Sequence, residues 1–300
     1  MKIQHTLKRI RKDWVLYAML FPGLIYFTIF HIIPILNMKL AFQDYRIIGE
    51  NTWVGMKQFT VLFGSPAFKD VLMNTIIIST MKMIFIFPIP IVLSLMINEL
   101  RFGPYRKFIQ SVSYLPHFLS WVVIAGIWIA FLNPTDGGVN VIRGFFNLPS
   151  LDFMTSKDHI RWVLIFSEMW RSAGWDTILY IAAILKISPA LYEAAKIDGA
   201  STLQQMRYVT LPAMVSTVIT VFILNLGFFM NAGFDQVFNL MNDSVLSVID
   251  ILDTYVYRIG ILNGQYAYAT AASLFKGVIG LVLILSTHFI SKRLTGKGVW

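Results

Sequence analysis

Three cations stand inside long apolar runs of this sequence: Lys82, Arg171 and Lys276. A charge at membrane depth is costly, and such residues face a cavity or a partner. Level with one another, the three would form a cationic girdle suited to an anionic ligand. Pairing within the chain is the competing account for Arg171. Glu168 lies three residues before it on one helical face, and Asp176 follows one to two turns later. Lys82 and Lys276 have no equally close sequence partner. A second polar set, Asn231, Asp235 and Asn239, recurs every four residues, with Asn225 near the edge of the same face. Such a stripe lines water or hydrogen-bonds a neighbouring helix. Trp170, Trp175 and Tyr180 offer flat faces for ring stacking, or pack as interface anchors.

Enzyme chemistry finds no footing. The five histidines, His5, His31, His117, His159 and His288, are scattered without metal-ligand spacing. No Gly-x-x-x-x-Gly-Lys-Ser/Thr loop is present, so no nucleotide is expected on this chain. The absence of cysteine excludes disulfides and thiolate sites.

The elements that must position these groups follow from composition. Hydrophobic residues make up 56% of the 300 and charged ones 14%, against about 45–50% and about 25% in soluble domains. Mean hydropathy is +0.65. The chain therefore reads as an all-α integral membrane protein, and no ten-residue alternation suggests a barrel. Six spans are expected, over about 15–36, 71–98, 109–132, 162–185, 213–241 and 266–290. Arg171 falls about ten residues into the fourth, roughly 15 Å deep, and Lys82 and Lys276 fall at similar depth on helices of the same direction. Pro88 and Pro90 should kink the second span. Gly227 and Gly233 should weaken the fifth. One domain is expected, with no internal repeat.

The first span follows Lys8, Arg9, Arg11 and Lys12. With six spans, both termini share that side. It carries fourteen Lys and Arg, against eight opposite, so both termini are expected in the cytoplasm of a multi-pass plasma-membrane protein. The net charge of +9 then reflects cytoplasmic loops rather than nucleic acid. The external loops at 37–70, 133–160 and 242–265 are long enough for short surface helices. The last, with Val245, Leu246, Val248, Ile249, Ile251 and Leu252 around Asp250 and Asp253, reads as an interfacial amphipathic helix.

Between the fourth and fifth spans lies a polar stretch, 188–212, with local start and stop signals. Ser188-Pro189 is a helix start. The helix runs through Leu191, Tyr192, Glu193, Ala194 and Ala195 to Ile197, and Gly199 stops it after Asp198. Ser201 with Gln204 forms a second capping box, and Leu211-Pro212 leads into the fifth span. Small residues beside larger ones suit docking into a groove.

The spacing Glu193-Ala194-Ala195, three residues, Gly199, then Leu211-Pro212 resembles the EAA loop of ABC importer permeases. Asp198 and Ala200 match the variant common in sugar importers. Tyr114-Leu115-Pro116, Trp170 with Gly174, and Leu274-Phe275-Lys276 resemble permeases for oligosaccharides, and the likeness covers most of the chain. The compact six-span form departs from the maltose-type larger subunit and looks closer to importers of complex, uronic-acid-containing sugars. The resemblance implies the type I importer permease fold. It also implies a second permease subunit, giving a heterodimer, two ATPase subunits carrying ATP and Mg, and an extracytoplasmic solute-binding protein. By that resemblance 188–212 is the coupling hairpin. Lys82, Trp170, Arg171, Trp175, Asn225, Asn231, Asp235 and Lys276 become candidates for a pathway used by an oligosaccharide, acidic if the cations are unpaired. An ion-driven secondary transporter of sugars is the alternative. It would show an internal repeat, and it leaves the capped hairpin unexplained.

Overall fold

The computed structural model describes residues 12–100 and 103–295. Lys2, Lys8, Arg9, Arg11, Arg101 and Lys297, used in the orientation argument, lie outside the described residues. Among the described residues, four helices are each long and apolar enough to cross a bilayer: Trp14–Phe42, Pro66–Asn98, Thr202–Gly227 and Tyr266–Phe289. Two bent pairs raise the number to six. Gly103–Phe118 meets Trp121–Phe131 at 103°, and Ile160–Ile184 meets Pro189–Ile197 at 77°. Helix Ile160–Ile184 has 25 residues, about 37 Å at 1.5 Å per residue, so it is long enough alone. Its charged residues keep its hydropathy low.

Three of the six expected spans are interrupted, each for a local reason. In the second, the helix Pro66–Phe85 gives way at 86–87 and restarts at Pro88, as a proline pair demands. The third was expected as one helix over 109–132. It is two, because Pro116 turns Leu115–Phe118 into a 3-10 segment, Leu119 is extended, and the Ser120 hydroxyl caps a new helix at Val123 N–H. The fifth was expected over 213–241. Its helix ends at Gly227, the chain unwinds, and Phe234–Leu240 follows Gly233, whose φ is +97°. At the start of the fifth span, Pro212 sits in an otherwise continuous helix. A π turn at Met206–Thr210 precedes it, widening the helix where the proline ring would meet the carbonyl four residues back.

The core lies toward the 133–160 and 242–265 loops. Ile78, Ile124, Ile160, Leu164, Leu240 and Ile249 are all essentially buried, joining the second, third, fourth and broken fifth spans. The 242–265 segment belongs to this core and is not an interfacial amphipathic helix. It folds as Leu246–Ile249, Leu252–Val256 and a π turn Tyr257–Leu262, and Val245, Ile249, Ile251 and Leu252 are fully buried. Its backbone is pinned from the spans: Asn74 Nδ2 donates to Ser247 O, Arg161 Nε to Val248 O, and Leu252 N–H to Thr75 Oγ1. Asp250 pairs with Arg258 and accepts from Thr254. Burial nevertheless pushes its carboxyl above the usual carboxylate range. The 37–70 loop adds a two-residue antiparallel pairing, Gln43–Asp44 with Thr52–Trp53, and a helix Lys57–Gly64.

The first span, Trp14–Phe42, meets the rest of the chain at its last turn, where Ala41 is buried with Phe59 and Ala271. None of its most apolar window is buried within the chain.

Candidate functional site

Two features stand out, one directly after the fourth span and one against its middle and later turns. The first is the hairpin. Helix Pro189–Ile197 begins with Pro189 at its first position, and Leu191 N–H donates to Ser188 O at 3.1 Å. The Ser188 hydroxyl makes no cap bond, so the expected capping hydroxyl is absent and proline and backbone start the helix. The end is a Schellman closure: Ala200 N–H donates to Ala195 O at 2.9 Å and Gly199 N–H to Lys196 O at 3.1 Å. Gly199 holds φ +77°, a conformation that costs a side chain roughly 1–2 kcal/mol. The second cap forms as read from sequence, with Ser201 N–H to Gln204 Oε1 at 2.7 Å and Gln204 N–H to Ser201 Oγ at 3.4 Å.

Glu193, Ala194, Asp198 and Gly199 are exposed, and so are the apolar Leu191, Ile197, Leu203 and Tyr208. Tyr192 instead turns inward, its hydroxyl 3.0 Å from the buried Thr210 Oγ1. That contact ties the helix to the base of the fifth span, at the residue immediately before Leu211-Pro212. The hairpin thus presents an apolar, unpaired face while being fastened to two spans.

The second feature is a cavity of about 550 Å³ between the second, third, fourth and fifth spans, the third contributing His117. Of the expected pathway residues, Lys82, Arg171, Asn225 and Asn231 line it, and Trp170, Trp175, Asp235 and Lys276 do not. Trp170 faces an apolar groove with Trp128, Trp162 and Phe166. Trp175 lies behind the cavity wall, stacked on the His117 ring at 4.5 Å and 3°. Asp235 sits beyond the break in the fifth span, its carbonyl accepting from Asn239 Nδ2 at 2.7 Å. Asn231 lies within the break, so the four-residue stripe is not one continuous helical face.

The cations also differ from a girdle of three like charges. Lys82 Nζ donates to Gln236 Oε1 at 2.6 Å and Ala232 O at 2.8 Å, and lies 3.4 Å from Glu168 Oε2. Gln236 in turn donates to Leu164 O and Ser167 Oγ. This network clamps the break in the fifth span against the second and fourth. Lys276 Nζ meets both oxygens of Asp253, at 2.6 and 2.8 Å, and fastens the sixth span to the outer segment. Glu168, three residues before Arg171, is therefore spent on Lys82. Arg171 is left with a 3.4 Å contact from Nη2 to His117 O and a position over the Trp121 ring at 5.1 Å. Gln236, Asp253 and His117 were not legible as partners. Each lies far away in sequence, and only the outer fold brings them in.

Close packing places Arg171 beside the broken third span. A Cβ on Gly174 would fall 2.0 Å from Ser113 O, so glycine lets the fourth span press against the third one turn below Arg171.

Residues 86–296 match the family of binding-protein-dependent transport system inner membrane components. The chain belongs to that family. It is 38% identical to the polygalacturonan/rhamnogalacturonan transport system permease protein YteP of Bacillus subtilis (strain 168), over all of this chain and 94% of that relative. Among solved structures it is similar to a chain of a bacterial ABC transporter involved in the import of the acidic polysaccharide alginate. The TM-score is 0.90 at 38% identity, covering 97% of this chain and 99% of the other. A second alginate transporter structure, in complex with an alginate pentasaccharide-bound periplasmic protein, matches at TM-score 0.89 and 39% identity over the same shares. The molecule is thus a multi-pass membrane permease with the type I importer fold, a transport subunit and not an enzyme.

Proposed function

We propose that this permease imports an acidic oligosaccharide, handed over by an extracytoplasmic binding protein and driven by partner ATPases that carry ATP and Mg. The observation that carries the reading is the linkage within one chain of an exposed apolar hairpin and a polar cavity. The fourth span joins them directly, and Tyr192–Thr210 joins the hairpin to the fifth. Motion of the hairpin is therefore delivered to two walls of the cavity, the coupling of two sites through one switching element. The polygalacturonan and alginate relatives supply the cargo class.

Leu191, Ile197, Leu203 and Tyr208 supply an apolar anchor surface for the ATPase. The uncovered first span favours a second permease subunit beside this one, a heterodimer in this reading. Both termini and the hairpin lie in the cytoplasm, and the 133–160 and 242–265 loops lie outside.

The test is co-expression with the ATPase and the second permease, purification in detergent, and reconstitution with the binding protein. Retention of both partners and ATP-dependent oligosaccharide uptake are expected. Uptake by this chain without an ATPase would transfer the reading to an ion-driven carrier. Orientation is checked separately: the native chain has no cysteine, so Ser201→Cys is a clean probe. Labelling by an impermeant reagent added outside intact cells would overturn the cytoplasmic hairpin.

A further inference from the structure

Among the described residues, four buried side-chain polar atoms have no hydrogen-bond partner: Ser79 Oγ, His117 Nδ1, Arg171 Nε and Arg258 Nε. The residues of the first three all line the cavity, and they come from three different spans. Roughly nine in ten buried polar groups are satisfied in native proteins. The three orphan atoms are themselves closed to solvent, so they mark a cavity wall whose polar groups the chain leaves unmatched, and a local rearrangement around a polar ligand would satisfy them.

The geometry at Arg171 narrows what that partner is. The guanidinium carbon lies over the Trp121 ring, 5.1 Å from its centre, and Nη2 donates to His117 O at 3.4 Å. His117 is itself fixed by stacking on Trp175. The fork is thus oriented before any ligand arrives, and its remaining donors are uncommitted. Glu168 is engaged by Lys82. Asp176, also on the cavity wall, makes no ion pair with Arg171 among the described residues, and lies about 7.5 Å further along the helix. An oriented planar fork matches a carboxylate through two parallel hydrogen bonds.

We propose that Arg171, with His117 and Ser79 as neighbouring hydrogen-bonding groups, is the subsite of the translocation cavity that takes the carboxylate of an acidic sugar residue. This rests on the acidic-oligosaccharide reading above. Asn225 and Asn231 on the same wall offer donors and acceptors to sugar hydroxyls. Asp176, on the cytoplasmic side of Arg171, repels the same carboxylate. The stay at Arg171 is therefore brief, which conduction through a site requires.

The experiment uses the complete importer in proteoliposomes. The probes are a uronic-acid oligosaccharide and its carboxyl-reduced, neutral counterpart of equal length. Wild type, Arg171→Gln and Arg171→Lys are compared for uptake, and the thermal midpoint of each complex is recorded. Loss of a charge-assisted bidentate contact should lower uptake of the acidic sugar by Arg171→Gln about tenfold or more, with the neutral sugar changed by less than about twofold. Arg171→Lys, which keeps charge without the fork, should fall between the two. A parallel fall for both sugars, or no fall for either, overturns the subsite while the importer reading stands. Wild-type complex that takes up neither sugar overturns the substrate class and the subsite with it. Should Arg171→Gln fail to assemble, the Arg171→Lys comparison decides by the same ratio of acidic to neutral uptake.

Discussion

Hydrogen bonds in the hairpin close mostly over short stretches of chain, and those around the cavity close over long ones. Ala195 with Ala200, Ser201 with Gln204 and Ala200 with Gln205 are five, three and five residues apart. Lys82 reaches 150 residues to Ala232 and 154 to Gln236, Gln236 reaches 72 to Leu164, and Arg171 reaches 54 to His117. The hairpin holds its shape from its own residues and leaves the apolar side chains of Leu191, Ile197, Leu203 and Tyr208 exposed. The cavity exists only when four spans are in place. A device that transmits force must keep its shape while it moves, and a device that passes cargo must rearrange. The two regions divide in that way.

The sharpest attempt to break the division is at Gly199. Its Cβ direction is open, with no atom within 4 Å, so a substitution there acts through the backbone alone. A β-branched residue forced to φ +77° strains the turn by about 1–3 kcal/mol. Gly199→Val should abolish transport by the reconstituted complex while leaving the protein in the membrane. Gly199→Asn, which tolerates the left-handed region, should keep a measurable share. Normal transport by the valine variant would remove the hairpin's coupling role.

On the cavity side, Lys82 is the counterpart. Lys82→Met leaves Glu168 without its cation and Gln236 without its donor partner. Breaking a buried pair from one side costs about 3–5 kcal/mol, and the two side chains here are 16% and 21% exposed, which favours the lower end. Thermal unfolding in detergent should show the loss. The double variant Lys82→Met with Glu168→Gln should recover part of it. Full additivity would show that the ion pair does not hold the clamp.

This contrast also explains what the sequence made visible. Proline at a helix start, glycine after a helix end and the Ser201–Gln204 box act within a turn or two, so the hairpin was legible to the residue. The local failures are Ser188, whose hydroxyl stays out of the cap, Tyr192, which turns inward onto Thr210, and the second helix, which does not stop near Val209 but continues through a π turn into the fifth span. The count of six crossings was legible from hydropathy, but the breaks at 119–120 and 228–233 were only hinted at by Pro116, Gly227 and Gly233. A polar stripe read on an ideal helix dissolves when the helix ends between its members, as happens to Asn225, Asn231 and Asp235. The apolar residues around Asp250 and Asp253 have the pattern of a membrane-surface helix, and nothing local says that a core lies beneath them. Lys276 and Lys82 found partners 23 and 86 residues away in Asp253 and Glu168, distances over which sequence spacing carries no geometric information.

Tyr192 joins the two regions and sharpens the comparison. Its hydroxyl bond to Thr210, 18 residues away, is the long-range exception in the hairpin. Tyr192→Phe removes one neutral hydrogen bond, about 0.5–1.5 kcal/mol, and leaves the ring in place. A loosened link should lower transport per ATP hydrolysed more than it lowers the thermal midpoint. Unchanged coupling with a lowered midpoint would reduce the contact to a fold element.

The smallest effect expected is at the two serines that open the hairpin's helices. They have the same side chain and the same extended backbone, with φ, ψ of −62°, 128° at Ser188 and −66°, 163° at Ser201. Only Ser201 accepts a backbone N–H, from Gln204, and receives the reciprocal bond at its own N–H. Ser201→Ala should therefore cost about 1 kcal/mol of local stability, and Ser188→Ala about 0. Pro189 supplies no N–H at the first helical position, and the Leu191 N–H already donates to the Ser188 backbone carbonyl, so the first helix has less for a capping hydroxyl to satisfy. Hydrogen exchange of the 189–205 amides reads the difference directly. Faster exchange near Gln204 in Ser201→Ala, with no change near Leu191 in Ser188→Ala, is expected. Equal acceleration in both variants would mean that Ser188 caps its helix after all, and that the hairpin's first helix depends on its side chain as the second does.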